Sequence, residues 1–533
     1  MNHFSRRGAC PALSAPMQTG DGLLVRLNPV TGGISPNALI GLCESAARHG
    51  NGIMEVTARG SLQIRGLTAE SVPLLAAEVD ALGIEVRTGV PVETGPLAGL
   101  DPDEIADPRP LAERIRAGIE AAGLGNRLGP KVSVVVDGGG RLSMDTVLAD
   151  VRLVAERRDG DVLWRLAVAG DGRTASPLAS LPELAAVGAT LAILDAIAAL
   201  GRDGRAKDME PAHLAALALA SKSSRSTLPP SVLPEISPTR GEIGLSSPPS
   251  PTFNASARLG AAKRVAGTSK LLISPLVGEM SGRTEGGDVE PERQPALAEP
   301  DLSRTVSDSS APIGTFLLTE SQHALSIALP FGSMPAEILI ALANAAVSLG
   351  ASEIRFAPRR TLLVIGLTEP ACAELRSVAA SLGFVTDPTD PRTKIAACPG
   401  APACASGHIA TRKIAEEIAR TSVDIFNSSL SLHISGCAKG CAHPAEASLT
   451  LVGGEKGAGL VVSGTAKGLP AAYTPGYEAA RGFGRIAELL RNQRRPGETT
   501  ASCLARLSET QVAAAFTKDN NGLRLHSRRH GDL

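Results

Sequence analysis

Aromatic side chains are scarce in this chain. They make up 2% of its 533 residues, with one Trp and two Tyr. Base-stacking platforms for nucleic acid are therefore not expected. A charge bias is also missing: the formal net charge is -1, which removes the general electrostatic case for nucleic acid or an anionic membrane surface. No stretch approaches the roughly 18 apolar residues needed to cross a bilayer. The opening "MNHFSRRGACPALSAPMQTGDG" carries two arginines but no apolar segment of the kind that directs secretion. The expected compartment is the cytoplasm, where thiols stay reduced. Hydrophobic residues, at 43%, suffice for sizeable cores, and the length suggests three or more folded units.

What is present is a repeat. "MEVTARGSLQIRGLT" (54–68) lies over "IRFAPRRTLLVIGLT" (354–368) at a constant offset of 300. Arg59 matches Arg359, and Gly66-Leu67-Thr68 matches Gly366-Leu367-Thr368. Upstream, "LCESAARHG" matches "LANAAVSLG". Each copy reads as a strand, a helix opened by Pro36 and closed by Gly50 in the first copy, two short strands near 53–57 and 61–66, and a helix near 69–82. That is a βαββα unit of the ferredoxin-like kind. A fainter repeat follows each copy: "KVSVVVDGGGRLSMDTVLADVRLVA" (131–155) is similar to "LSLHISGCAKGCAHPAEASLTLVG" (430–453), but only the second carries cysteines. The expected units are 18–90, 100–215, 313–390 and 391–520. Between the halves, 216–312 is rich in Ser, Pro and Gly without sustained periodicity, and is expected to be a disordered linker or insertion.

Half of the eight cysteines sit in two short loops, "IAACPGAPACASGHIA" and "LHISGCAKGCAHP". The spacing is Cys398-x5-Cys404 followed by Cys437-x3-Cys441. Four thiolates suit a tetrahedral zinc or a cubane iron–sulfur cluster. Zinc sites favour pairs two to four residues apart, so the x5 pair points to the cluster. Gly436 and Gly440 would let backbone N–H groups approach the inorganic sulfides. Cys43, Cys372 and Cys503 fall in expected helices and read as core residues.

Those spacings, in a duplicated chain, resemble the siroheme and iron–sulfur sulfite/nitrite reductase superfamily. The resemblance implies an α+β fold: duplicated ferredoxin-like half-domains plus duplicated reductase-type iron–sulfur α/β halves, related by a pseudo-two-fold. It implies a 4Fe-4S cluster on Cys398, Cys404, Cys437 and Cys441, with Cys441 nearest the tetrapyrrole. Two branches compete. Siroheme-dependent sulfite or nitrite reductases carry a Lys-x-Lys anion cage, whereas here Lys131 is followed by Ser133 at the second position. Lys439 inside the second cysteine loop, and His443-Pro444 after it, are instead similar to the precorrin-3B synthase branch of aerobic cobalamin synthesis. A non-catalytic tetrapyrrole-binding protein with a structural cluster is the remaining alternative.

The synthase resemblance implies a monooxygenase: dioxygen hydroxylates precorrin-3A at C20 and the ring-A acetate closes a γ-lactone. Arg59, Arg65, Lys131, Arg359 and Arg360 are the expected holders of tetrapyrrole carboxylates, because arginine offers a planar fork. Arg59 and Arg65 are expected on one side of a strand pair by their even spacing. The resemblance also implies a non-haem iron, for which no two-His-one-carboxylate set is assignable. His433, His443 and Lys439 are the nominated catalytic groups, with a bland core or loop role open for each histidine. No GxGxxG fingerprint appears, so electrons are expected from an external donor, NADH-linked or a ferredoxin or flavoprotein.

Overall fold

The computed structural model of the protein describes residues 11–30, 32–223, 242–243, 271–272, 312–426 and 429–517. The first repeat runs β1 (Met17–Thr19), β2 (Gly22–Leu27), β3 (Gly33–Ile34), α1 (Pro36–His49), β4 (Ile53–Val56), β5 (Leu62–Leu67) and α2 (Ser71–Ala81). An α/β unit follows: β6 (Val92–Thr94), α3 (Arg109–Ala121), α4 (Leu124–Arg127), β7 (Val134–Asp137), β8 (Ala149–Arg158), β9 (Asp161–Gly170), β10 (Ser176–Leu181), α5 (Glu183–Ala199) and α6 (Pro211–Ser223). A two-residue ladder joins β11 (Glu242–Ile243) to β12 (Leu271–Leu272).

The second repeat has β13 (Gly314–Leu317), β14 (His323–Ala328), β15 (Ser333–Pro335), α7 (Ala336–Ser348), β16 (Glu353–Ala357), β17 (Thr361–Leu367) and α8 (Glu369–Ser381). The last unit has β18 (Ile395–Ala397), α9 (Thr411–Thr421), β19 (Leu432–Ser435), β20 (Ala447–Gly454), β21 (Gly457–Gly464), β22 (Ala472–Thr474), α10 (Ala479–Gln493), α11 (Thr500–Arg506) and α12 (Glu509–Thr517). One boundary shifts. The insertion expected from 216 opens inside α6, whose "PAHLAALALASKS" is rich in strong helix formers and stays helical to Ser223. Nearly all of the rest of that segment lies outside the described residues.

Local chemistry explains why the repeats fold alike. Ser35 Oγ accepts from Ala38 N–H at 3.1 Å, and Pro36 supplies the fixed φ that a helix start favours. The shared Gly-Leu-Thr marks a bulge. Gly66 and Gly366 adopt φ of 72° and 90°, and a Cβ there would meet Asn51 Cβ and Ser352 Oγ, each at 2.5 Å. Only glycine takes that left-handed position next to so close a neighbour.

The copies exchange edge strands. β15 pairs with β4 through Met334↔Met54, and β3 pairs with β16 through Ile354↔Ile34, the same register with the copies swapped. The sheets run β1-β2-β5-β4-β15 and β13-β14-β17-β16-β3. α1 lies against α7, and Leu39, Leu42, Leu339 and Leu342 are fully or almost fully buried in one joint core. This exchange is the pseudo-two-fold.

The two α/β units share one topology, with parallel pairing across the first three strands and antiparallel pairing at the last two steps: β6-β7-β8-β9-β10 and β18-β19-β20-β21-β22. Docking is crosswise. The first repeat sits on the last unit, where Gly20 N–H donates to Ala403 O at 3.2 Å. The second repeat sits on the first α/β unit, where Arg355 donates to Pro96 O at 3.1 Å and Arg141 lies 5.8 Å from the Phe316 ring centre.

Candidate functional site

Both cysteine loops leave the carboxyl ends of neighbouring parallel strands, the end at which open α/β sheets place ligands. Ala397 at the end of β18 pairs with Ile434 of β19. Cys398 therefore opens one loop directly beside Gly436, which opens the other. Gly436 N–H donates to Cys398 Sγ at 3.2 Å, and His408 N–H donates to Gly436 O at 2.8 Å. Lys439 Nζ donates to Ser406 Oγ at 2.8 Å and ties the loops from outside. Cys398 is buried, Cys404 and Cys437 are half-buried, and Cys441 is exposed. Loss of hydration raises the Cys441 thiol even so, and the nearby Cys398, Cys437 and Cys404 push it further the same way. Cys441 thus lies within electrostatic reach of the other three thiols.

Among the described residues no three Cys, His, Asp or Glu side chains gather tightly enough for one metal ion. A cubane sets its four thiolates at separate corners, wider than a single ion does. The donor set, the N–H directed at Cys398 Sγ and the approach of the other thiols to Cys441 fit such a cluster. They do not fit a second, single iron.

His433, on β19, is fully buried, and neither ring nitrogen has a partner. Its ring centre lies 5.8 Å from that of His443, edge to face, while His443 Nε2 contacts Glu446 O at 3.1 Å. Burial first, then His443 and Arg360, push the His433 pKa down to about 4. The folded state holds this ring neutral, whereas the unfolded chain protonates it near pH 6.5. Its contribution to stability is therefore present above about pH 6.5 and is lost as pH falls towards 4. The denaturation midpoint is expected to drop between about pH 6.5 and pH 5, and to drop less in His433→Leu.

The five expected tetrapyrrole-binding cations do not act as one patch. Arg59 sits in the turn between β4 and β5, not on a strand, so the even-spacing expectation fails. Its guanidinium crosses to the first α/β unit: NH1 donates to Leu148 O at 2.5 Å, and NH2 to Glu93 at 2.6 Å and Ser133 Oγ at 3.2 Å. Arg65 is 3% exposed and already engaged. It donates to Asp21 at 2.8 and 3.0 Å, to Glu55 at 3.4 Å and to Ala403 O at 2.7 Å. Arg65 braces the Cys404 loop, with four of its guanidinium N–H donations made inside the protein.

Arg359 and Arg360 lie in the matching turn, with φ of 63° and 66°. Arg359 is exposed beside a small cleft lined by Ser143, Thr146 and Thr361, and its N–H donates to Ala58 O at 3.0 Å. Arg360 turns the other way and donates to Ala442 O at 2.8 Å, one residue beyond Cys441. Lys131 is exposed and precedes β7, rather than lying on it.

Sequence reasoning missed a buried network under the first cysteine loop. Glu55, 3% exposed, accepts from Gln63 at 2.6 Å and Arg412 at 2.5 Å as well as from Arg65. Arg26 donates to Gln63 Oε1 at 2.6 Å. Gly20 belongs to the same contact: a Cβ there would meet Pro402 O at 2.6 Å and Ala405 N at 2.8 Å. None of the network's arginines is copied in the repeat, and its acids come from distant segments, so the sequence carried no signal for it.

Residues 15–82 match the nitrite/sulfite reductase ferredoxin-like half domain. A ferredoxin–nitrite reductase from Synechococcus elongatus is 28% identical over 28% of this chain and 31% of its own length. The structure of Mycobacterium tuberculosis NirA aligns over 92% of this chain and 84% of that one, with a TM-score of 0.64 and 18% identity, a likeness of fold. Among the described residues no helix is long and apolar enough to cross a membrane. A precorrin-3B synthase from Sinorhizobium sp is 36% identical over 96% of this chain and 95% of its own. The chain belongs to the precorrin-3B synthase family, on a nitrite/sulfite reductase fold.

Proposed function

We propose that the protein is an oxygen-dependent oxidoreductase that converts precorrin-3A to precorrin-3B, by hydroxylation at C20 and closure of a γ-lactone by the ring-A acetate. The observation that carries this reading is the meeting of two cysteine loops with arginines from both ferredoxin-like copies. Cys398, Cys404, Cys437 and Cys441 would hold a 4Fe-4S cluster. When bound, it supplies electrons one at a time from an external donor, NADH-linked or a ferredoxin or flavoprotein.

The chain's own residues do the rest. Arg59, Arg359 and Lys131 present cations to the acetate and propionate fringe of the macrocycle, and Arg360 fixes the carbonyl next to Cys441. Lys439 ties the loops together through Ser406 and adds a positive charge at the rim. His433 stays neutral within the site, and His443 lies between it and the exposed edge. No step is assigned to a non-haem iron, because the described residues offer no ligand set for it. Siroheme in place of precorrin-3A belongs to the reductase reading, which the partial reductase relatives support less.

Two experiments test the reading. Protein handled without oxygen is expected to show broad absorbance without sharp haem bands, and no reduction of sulfite or nitrite with a dye donor. A siroheme spectrum or rapid sulfite reduction contradicts it. Arg59→Ala is expected to weaken tetrapyrrole binding by about 1–3 kcal/mol, read by fluorescence titration. Unchanged binding removes Arg59 from the substrate face.

A further inference from the structure

We propose that Glu93 is a built-in competitor for the Arg59 guanidinium, admitting polycarboxylate tetrapyrroles and turning away small inorganic oxyanions. The inference rests on the reading of the Arg59 face as the substrate face. Four separate segments meet there: the β4–β5 turn, β6, the residues before β7 and the residue before β8.

Glu93 sits mid-strand on β6, held in parallel register against Val135. Val92 beside it is fully buried, so the alternation of the strand turns Glu93 away from the core. Its carboxylate lies 2.6 Å from Arg59, with the two side chains 20% and 35% exposed. Ser133, where a reductase-type cage would place a second lysine, adds a neutral hydroxyl that accepts from the same nitrogen at 3.2 Å. Glu93 therefore offsets the charge of Arg59 itself. Arg87 also lies within electrostatic reach of Glu93, which offsets part of its loss of hydration.

Two consequences follow from this arrangement. A tethered carboxylate competes at a high effective concentration, so a single small anion from solution displaces it poorly. A half-exposed ion pair is nevertheless weak, so a ligand anchored elsewhere by further carboxylates can exchange with it. Glu93 is thus a specificity-determining residue that acts through Arg59.

Uroporphyrin, a stable polycarboxylate tetrapyrrole, serves as the probe, with sulfite as the small anion. In the full-length protein, Glu93→Gln is expected to bind uroporphyrin up to about fivefold tighter by fluorescence titration. It should also become sensitive to millimolar sulfite competition that wild type resists. Glu93→Asp should keep the resistance. Both gains should vanish when Glu93→Gln is combined with Arg59→Ala. Unchanged or weaker binding by a folded Glu93→Gln protein overturns the proposal, as do gains that persist without Arg59. If Arg59→Ala alone leaves wild-type binding intact, the substrate-face reading falls with it. If Arg59→Ala weakens binding but Glu93→Gln changes nothing, only the competitor role falls.

Discussion

Cys441→Ala protein is expected to purify without cluster absorbance, to give no electron paramagnetic resonance signal after reduction, and to lose at least about a hundredfold in turnover. Cys441 is the exposed member of the four, so its removal opens the site at the rim and leaves the buried hydrogen bond to Cys398 in place. Folding alone therefore should not explain the loss, and circular dichroism should stay native. Among the described residues no other thiol stands at the two loops. Cys43 and Cys372 are buried in α1 and α8, with their thiols pushed up to about 12 and about 11, chiefly by burial. Cys503 is buried in α11. Cys43 and Cys372 belong to the core of the ferredoxin-like pair and Cys503 to the core of the last unit, not to the two cysteine loops. Cys372→Ala is the control and should keep the full signal. A retained cluster in Cys441→Ala would mean the ligand set is wrong.

Glu55→Ala should be the most destabilising single polar change in the described structure, at about 3–5 kcal/mol by denaturant midpoint. Glu55 is 3% exposed and receives Arg65, Arg412 and Gln63. Its removal leaves Arg412 without that carboxylate and reduces the buried Arg65 to one acid, Asp21, against the cost of burying its charge. The effect should reach the site, because Arg65 also holds Ala403 O next to Cys404. Cluster loss on mild heating should precede global unfolding in the variant. Glu55→Gln keeps the shape and one acceptor and should cost less. A Glu55→Ala midpoint within experimental error of wild type would show the network to be dispensable.

The contrast between these two sites shows what the sequence could reveal. The cysteines were legible because their ligand pairs sit a few residues apart and the strands place them side by side. The repeat was legible for a similar reason: a constant offset of 300 became a strand exchange in which 34 pairs with 354 and 334 with 54. The partners of Arg65 are not legible in the sequence because its acids come from elsewhere. Asp21 lies 44 residues before it, and Arg412, its neighbour across Glu55, lies 357 residues beyond that acid. Crosswise docking of the first repeat on the last unit creates that network, and no local pattern announces docking. The even spacing of Arg59 and Arg65 does not place them on one side, because Arg59 lies in a turn and strand alternation does not run through it. Glu93 reads locally as one polar residue in a short strand; only the arriving turn gives it a partner.

The proposed reaction places one atom of dioxygen on a tetrapyrrole, with a cluster on Cys398, Cys404, Cys437 and Cys441 relaying the electrons. Precorrin-3A, a one-electron donor and isotopically heavy dioxygen, given to the full-length protein, test that claim most directly by mass spectrometry of the product. The expected result is precorrin-3B carrying one heavy oxygen from the gas, with none when heavy water replaces heavy dioxygen. Oxygen drawn from water, or turnover in the complete absence of dioxygen, would contradict it.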